Sequence, residues 1–376
     1  MTPAAPNQGD SQTLRRATAL VAFWEATDLV FKNYLAGTEV ALPPELVPLL
    51  AEARDYVSRG DLLERWRAVP GAEALIDQLV GGELLLVKGS PLDGKDAAVA
   101  DHWRWGHDAR YFHYSTQRTR YEADLRQQEA LVARLAEATM PASPFKTYDG
   151  PRLALTSSFD TQRDGLWMTL RQRRTRRGFT RQSISLDSFT TVLEWTWGAT
   201  HQLRHPVLGE HVLKTSPSGG ARHPIEVYPL VLRVAGVPSG LYHYSVRDHA
   251  LESLRPGLWE DLAVRLCAGY EWFRNAAAVF LMTAVTERSM WKYPNSHAYR
   301  VLLLDAGHLG QTFHLVCTQL GLAPFTTAAT DDLAIEETLG LDGVSEFPIY
   351  AAATGLPAER SVNAPEAQRV APRPSA

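Results

Sequence analysis

Ten consecutive residues, Ala276 to Val285, carry no charge and a single hydroxyl, and they form the longest apolar run in this 376-residue chain. A helix that crosses a bilayer needs about 20 such residues, so the run is too short to span a membrane. It reads as a buried strand. The backbone groups of a buried strand must be paired, so the chain has to build a sheet around this segment.

The totals are those of an ordinary soluble globular protein, with 45% hydrophobic and 21% charged residues. The length suggests roughly two or three domains. A formal net charge of -4 argues against a general nucleic-acid binder, which would be basic. Cys267 and Cys317 are the only cysteines and stand far apart, which excludes a disulfide framework and a thiolate zinc site. A reducing cytoplasm is the expected setting. The start, MTPAAPNQGDSQTLRR, lacks a signal-peptide hydrophobic region. His107, His113, His201, His205 and His211 show no metal-ligand spacing.

The pattern divides the chain. Residues 1 to about 15 are expected to be disordered. From about 20 to 95 the pattern is that of a compact helical region ending in a strand. Pro43 and Pro44 open a helix running through Arg59, since proline suits a first helical turn. Gly60 stops it, Asp61 caps the next helix, and a third spans Ala72 to Val80. Glu83 to Lys88 then reads as a strand. Three short helices followed by a β-element is a winged-helix-like arrangement. Residues 96–160 read as a polar helical connector, to about 138, and a Pro-, Ser- and Gly-rich arm. From 161 to 357 helices and strands mix without strict βαβ alternation, which predicts an α+β domain. Its expected elements include helices Leu166–Arg177, Ser185–Trp197, Ala298–Leu320 and Asp331–Leu339. Its strands are expected at Val227–Val234, Gly240–Ser245, Ala277–Val285 and Pro348–Ala353. The Pro-, Ala- and Arg-rich tail, 358–376, is expected to be disordered.

Two segments carry chemistry. Arg173-Arg174-Thr175-Arg176-Arg177 sets four guanidiniums around one hydroxyl. Such a cluster repels itself unless an anion sits among the forks, and arginine forks with a hydroxyl make a phosphate clamp. A solvated charge run or a nucleic-acid patch fits the same residues. About forty residues later, Pro217-Ser218-Gly219-Gly220-Ala221-Arg222-His223-Pro224 brings backbone close to a ligand and offers Ser218 and His223 as hydrogen-bonding groups. It is no Rossmann fingerprint or P-loop.

Taken together and in this order, the two segments resemble the FMN-dependent nitroreductase superfamily, and within it the SagB-type dehydrogenases of ribosomal-peptide maturation. The resemblance covers about Leu166 to Gly355. It extends through Glu226-Val227-Tyr228, Gly240-Leu241-Tyr242-His243-Tyr244, Tyr299-Arg300 and Asp305 to Gln311, and through Gly321 to Ala328. Ala221 and His223 stand where plain nitroreductases have Asn and Gln, and Thr312 stands where the family has Asn. The resemblance implies a nitroreductase-like α+β core with a central mixed sheet flanked by helices. It implies that Arg173, Thr175 and Arg177 hold the FMN phosphate and ribityl chain. Ser218, Gly219, Gly220 and His223 would lie along the flavin, and the backbone near Thr327 and Ala328 would pass its N5. Lys292-Tyr293 matches a pair that azoline-oxidising members use for proton removal, although a surface lysine beside a packing tyrosine fits equally.

The implied activity is azoline-to-azole oxidation in a precursor peptide. A base, Lys292 helped by Tyr293, would remove a Cα proton while hydride passes to flavin N5. A homodimer, a leader peptide bound by the N-terminal region and a cyclodehydratase complex are the implied partners, with no nucleic acid and no membrane. Two other readings stay open at this point. One is an NAD(P)H-dependent flavin reductase acting on dehydroamino acids or small nitro or quinone compounds. The other is a winged-helix DNA-binding regulator. His308 reads as a satisfied core or interface group. The aromatic stretch Trp103 to Tyr114 reads as packing or as a channel wall.

Overall fold

The computed structural model describes residues 12–118, 122–138, 165–205 and 209–358. The expected arm at 140–160, the extreme N-terminus and the C-terminal tail from 359 onward fall outside the described residues. The chain divides into two compact units, residues 1–119 with 290–299, and residues 120–289 with 300–376.

In the first unit, β1 (Thr13–Arg16), β2 (Leu20–Glu25), β3 (Asp28–Asn33) and β4 (Thr38–Ala41) precede α1 (Val47–Glu52) and β5 (Val57–Ser58). Then come α2 (Arg59–Trp66), α3 (Ala72–Gly81), β6 (Leu85–Val87), α4 (Pro91–His102) and α5 (His107–Thr116). Strands β2-β3-β4 form one antiparallel sheet and β5-β1-β6 another. The order of three helices followed by a strand is present as α1, α2, α3 and β6. The residues before them differ from expectation. Thr13–Arg16 is ordered in β1, and residues 20–41 are strands rather than helix. Glu25 pairs with Asp28 across a two-residue turn in which Ala26 takes φ 51°. Turns of this kind favour Asn-Gly, and Ala26-Thr27 gives no such signal.

The helix expected to run through Arg59 is shorter than that and is followed by β5. It ends at Glu52, and Ser58 caps a new one by accepting a hydrogen bond from the Asp61 amide at 3.0 Å. Ser58, not Asp61, is the cap, and Gly60 lies inside the first turn. Leu14, Leu49, Leu62, Ile76, Leu79 and Leu85 form the apolar core.

A buried ionic knot ties β1 to α4. Asp96 is fully buried and accepts hydrogen bonds from Arg15 Nη1 (2.6 Å), Thr18 N (3.1 Å) and Ala19 N (3.0 Å). Asp93 pairs with Arg15 Nε at 2.7 Å and accepts from Tyr56 Oη at 2.8 Å. The aromatic stretch packs within this unit: Trp103, Trp105, His113 and Tyr299 cluster at centroid distances of 5.2 to 6.3 Å. Burial pushes His113 down to about 3, so its ring is neutral there.

The second unit contains α6 (Leu125–Ala138), α7 (Gly165–Gln172), α8 (Leu186–Trp197), the hairpin β7 (His201–His205) and β8 (Gly209–Leu213), β9 (Ile225–Val231), β10 (Gly240–Ser245) and β11 (Ala250–Pro256). It continues with α9 (Glu260–Leu266), β12 (Ala278–Val285), α10 (Thr286–Met290), α11 (Tyr299–Gln319), β13 (Ala323–Thr327), α12 (Asp332–Leu339) and β14 (Glu346–Gly355). A six-stranded sheet runs β11-β10-β9-β12-β14-β13. The expectation of a mixed sheet is corrected here. Every strand pairing in this sheet is antiparallel, and among the described residues the one parallel contact is an isolated bridge between Ile184 and Val234.

The apolar run is the central strand β12, flanked by β9 and β14. Its alternate side chains serve two cores. Phe280 meets Phe189, Trp197 and Phe313 from α8 and α11 at 6.0, 5.0 and 5.5 Å. Val279 and Leu281 join Leu241, Phe273, Phe325 and Ile335 on the opposite face. Both faces are covered, and the strand's one polar residue, Thr283, is buried with its hydroxyl donating to Glu346. Truncating Phe280 to alanine would cost about 3–5 kcal/mol.

Candidate functional site

The helix expected to reach Arg177 ends at Gln172, so the arginine segment is extended. Two contacts place it. The Arg173 amide donates to Thr169 O at 2.9 Å, closing α7, and the Arg176 amide donates to Pro324 O at 2.9 Å, laying the segment along β13. Arg173 and Arg177 are half-buried, while Arg174, Thr175 and Arg176 are exposed. Arg174 turns back and donates to the Arg171 and Arg173 carbonyls at 3.0 and 2.7 Å. The Arg177 guanidinium lies 5.3 Å from the Phe325 ring centroid. The structure therefore separates two inward arginines from two solvated ones.

Facing this segment on α11 is His314, 5% exposed. Its Nε2 lies 3.2 Å from Thr326 Oγ1, which also accepts from Tyr350 Oη at 2.9 Å. Its Nδ1 has no hydrogen-bond partner among the described residues. Burial, and then Arg173, push His314 down to about 4, so the ring is neutral near pH 7. Thr327 ends β13 opposite Ala351, and its Oγ1 accepts from the Ala329 amide at 2.9 Å. The Ala328 carbonyl accepts from Thr330 N at 3.1 Å.

The glycine loop is pinned to the other half of the same helix. Ser218 Oγ donates to Asp305 Oδ2 at 2.6 Å, and the Gly219 amide donates to Asp305 Oδ1 at 3.2 Å. Ser216 Oγ and Thr312 Oγ1 are 2.6 Å apart, and His308 Nδ1 lies 3.2 Å from Pro217 O. Thr312, which stands where the family has Asn, supplies a loop contact. His308 is exposed and holds the loop rather than filling the core. Positions 301, 305, 308 and 312 share one helix face, a spacing legible in the sequence that would have singled out Asp305. Burial pushes the Asp305 carboxyl up, against the pull of its two hydrogen bonds.

The loop backbone is strained. Gly220, Ala221 and His223 take φ of 61°, 53° and 45°, and positive φ is costly for residues with a Cβ. The His223 amide returns to Ser218 Oγ at 2.9 Å, which holds the bend. A Cβ at Gly219 would collide with Val301. Asp305 and His314 are nine residues apart, so the two anchoring stations lie about 14 Å apart along the helix.

Beside the loop lies an ionic cluster that the sequence reading left without a role. His243 on β10 reaches Glu226 on β9 at 3.1 Å and Glu252 on β11 at 2.7 Å, and Arg288 pairs with Glu226. Hydrogen bonding to Glu226, opposed by burial and reinforced by Glu252, raises His243 to about 8. Burial alone would raise Glu226, but His243 and Arg288 hold it below its usual range. Lys214, at the end of the β7–β8 hairpin, is pushed down to about 8 by burial.

Lys292 and Tyr293 belong to the first unit, whereas every other predicted site residue is in the second. Lys292 is exposed, with Nζ 5.4 Å from the Tyr293 ring centroid. The Tyr293 carbonyl accepts from Trp105 Nε1 at 3.1 Å.

Among the described residues, no helix is long and apolar enough to cross a membrane, and no group of three or more metal-ligating side chains is found. The chain matches the nitroreductase family over residues 170–356. It is 35% identical over 175 residues to the trifolitoxin-processing protein TfxB of Rhizobium leguminosarum bv. trifolii, covering 45% of this chain and 46% of that protein. It is 29% identical over 145 residues to the microcin B17-processing protein McbC of Escherichia coli, covering 37% and 52%. The chain thus spans about half the length of these curated relatives. A chain of the E. coli microcin synthetase McbBCD complex with truncated pro-MccB17 aligns with a TM-score of 0.49 at 21% identity, over 70% of this chain and 91% of that one. Residues 170–356 are a nitroreductase-family domain.

Proposed function

We propose that this protein is an FMN-dependent dehydrogenase of the SagB type, which oxidises azoline rings to azoles in a ribosomally made precursor peptide. One observation carries the reading. The arginine segment lies along β13 and the strained glycine loop is anchored on α11, all within the nitroreductase-family region. Sequence similarity to two peptide-processing proteins supports the substrate class.

The residues fit a phosphate-bearing flavin. Arg173 is half-buried and has no carboxylate partner among the described residues. Arg177 is half-buried too, and the exposed Thr175 hydroxyl lies between them in sequence. An anion there would be met by guanidinium forks and a hydroxyl, the donors of a phosphate clamp. The absence of a Cβ at Gly219 lets the loop backbone run close to α11. Arg173, Thr175 and Arg177 would hold the phosphate and ribityl chain. Ser218, Gly219, Gly220 and His223, with the backbone near Thr327 and Ala328, would line the ring. Bound FMN supplies a two-electron acceptor.

Lys292 is assigned as the base that takes the Cα proton of the azoline, with Tyr293 as its hydrogen-bonding relay. The first unit would bind the leader peptide by strand addition. Edge strand β2 supports this, since it leaves Phe23 and Trp24 exposed. A cytoplasmic homodimer working with a cyclodehydratase completes the proposal.

Two measurements test it. Purified protein incubated with FMN and desalted should retain a flavin absorbance spectrum, and the heterocyclised precursor should lose two hydrogens by mass spectrometry. Protein that stays colourless sinks the cofactor assignment. A peptide that gains two hydrogens replaces the dehydrogenase by a reductase.

A further inference from the structure

A groove of about 600 Å3 opens between the β7–β8 hairpin, the end of the glycine loop and the outer faces of β9 and β10. Five basic side chains line it, Arg204, Lys214, Arg222, Arg247 and Arg288, against two carboxylates, Glu226 and Glu252. That leaves an excess of three positive charges (five less two) in a chain whose formal net charge is -4. Both carboxylates are already engaged. Glu226 takes Arg288 and His243, and Glu252 takes the other nitrogen of His243. Arg222 Nε donates to the Arg288 carbonyl at 3.1 Å, so that arginine is partly tied to the wall.

Lys214 and Arg204 differ from these. Lys214 is half-buried and makes no side-chain hydrogen bond or ion pair with the described groove residues, and Arg204 is exposed on the hairpin. Burying an ammonium is unfavourable, and the attraction of Glu226 offsets only part of that cost here. The same burial pushes its pKa down. An oxyanion entering the groove would meet an ammonium and an arginine fork, the pair of donors that recognises carboxylate and phosphate.

We propose that this groove is an oxyanion-binding site beside the glycine loop, in which Lys214 and Arg204 receive a carboxylate or phosphate group carried on a flexible ligand. Two ligands present that chemistry, a peptide carboxylate and the phosphate of a nicotinamide dinucleotide. The peptide source rests on the function proposed above, while the site itself does not.

The test uses the full chain and fluorescence anisotropy. The probes are a fluorescein-labelled hexapeptide of alternating Gly and Glu, its Gln counterpart, and NADP+ as competitor. At low salt the Glu peptide should bind about tenfold more tightly than the Gln peptide. Lys214→Met should abolish that preference, and Lys214→Arg should keep it. Arg204→Gln, on the exposed hairpin, should weaken the preference without changing the thermal transition. Displacement by NADP+ at concentrations where NaCl of equal ionic strength does nothing assigns the site to a dinucleotide phosphate. Resistance to NADP+ assigns it to a peptide carboxylate. Equal binding of the Glu and Gln peptides with no NADP+ binding, or a folded Lys214→Met protein that keeps the preference, overturns the proposal. Flavin content, read separately by absorbance, decides the cofactor assignment independently of either outcome.

Discussion

Gly310 and Gly307 lie three positions apart on α11, and the structure assigns opposite signs to the same substitution at each. A Cβ at 310 would stand 2.8 Å from Tyr350 Cε1 and 3.8 Å from Thr326 Cγ2. Carbon atoms prefer about 3.5–4.0 Å, so the overlap with the ring is about 0.7–1.2 Å. The ring is poorly placed to give way, because its hydroxyl is bonded to Thr326 Oγ1 at 2.9 Å. Overpacking of this kind costs about 1–3 kcal/mol, while exchanging Gly for Ala inside a helix returns about 1 kcal/mol. The clash wins, and Gly310→Ala should destabilise by about 1 kcal/mol. At Gly307 a Cβ meets nothing within 4 Å. There only the helical gain remains, and Gly307→Ala should stabilise by about 1 kcal/mol. For a domain of this size 1 kcal/mol moves the melting midpoint by about 2–4 °C, so differential scanning calorimetry should resolve the two variants in opposite directions. Tyr350→Leu should remove most of the penalty at 310, a coupling that a double-mutant cycle would report. If both alanine variants shift the midpoint the same way, the close approach of α11 to β14 is not as described.

Three further outcomes follow from the same geometry. Asp96→Ala leaves the Thr18 and Ala19 amides unpaired and Arg15 half-paired, so the first unit should lose about 3–5 kcal/mol in denaturant unfolding. The stability contributed by His243 is complete below its ordinary pKa of 6.5 and is lost as pH rises through about 8. The melting midpoint should therefore fall modestly over that window, and His243→Gln should flatten the fall. Arg173→Ala and Arg177→Ala should each lower FMN retention about tenfold, whereas the solvated Arg174→Ala should leave it unchanged, as measured by flavin content after desalting.

The legible elements were those whose local signals and packing agree. Ala276–Val285 reads as a buried strand because both faces of β12 are covered. The long helix stops where expected, since Gly321 takes φ 70° just past its end. Asp331 caps α12 by accepting from the Ala334 amide at 3.0 Å. Errors fell where a boundary depended on a contact distant in sequence. The end of α7 could not be read from its own residues, because the chain leaves the helix to meet Pro324 O. The β7–β8 hairpin, His201–His205 against Gly209–Leu213, carries mixed polar residues and no tight-turn signature.

The order and type of the site residues were thus properties of the sequence by itself. An arginine cluster with one hydroxyl, a serine-glycine loop fenced by prolines, and a capped helix between them are local features, set by charge, backbone freedom and spacing. Which arginines turn inward, which carboxylate holds the loop, and that Lys214 faces a groove with Glu226, His243 and Arg288 were decided only by tertiary structure. Those groups come from β9, β10, the hairpin and the segment after β12. Sequence distance carries no information about their separation, and the balance of burial against pairing that sets their charge exists only once the sheet has brought them together.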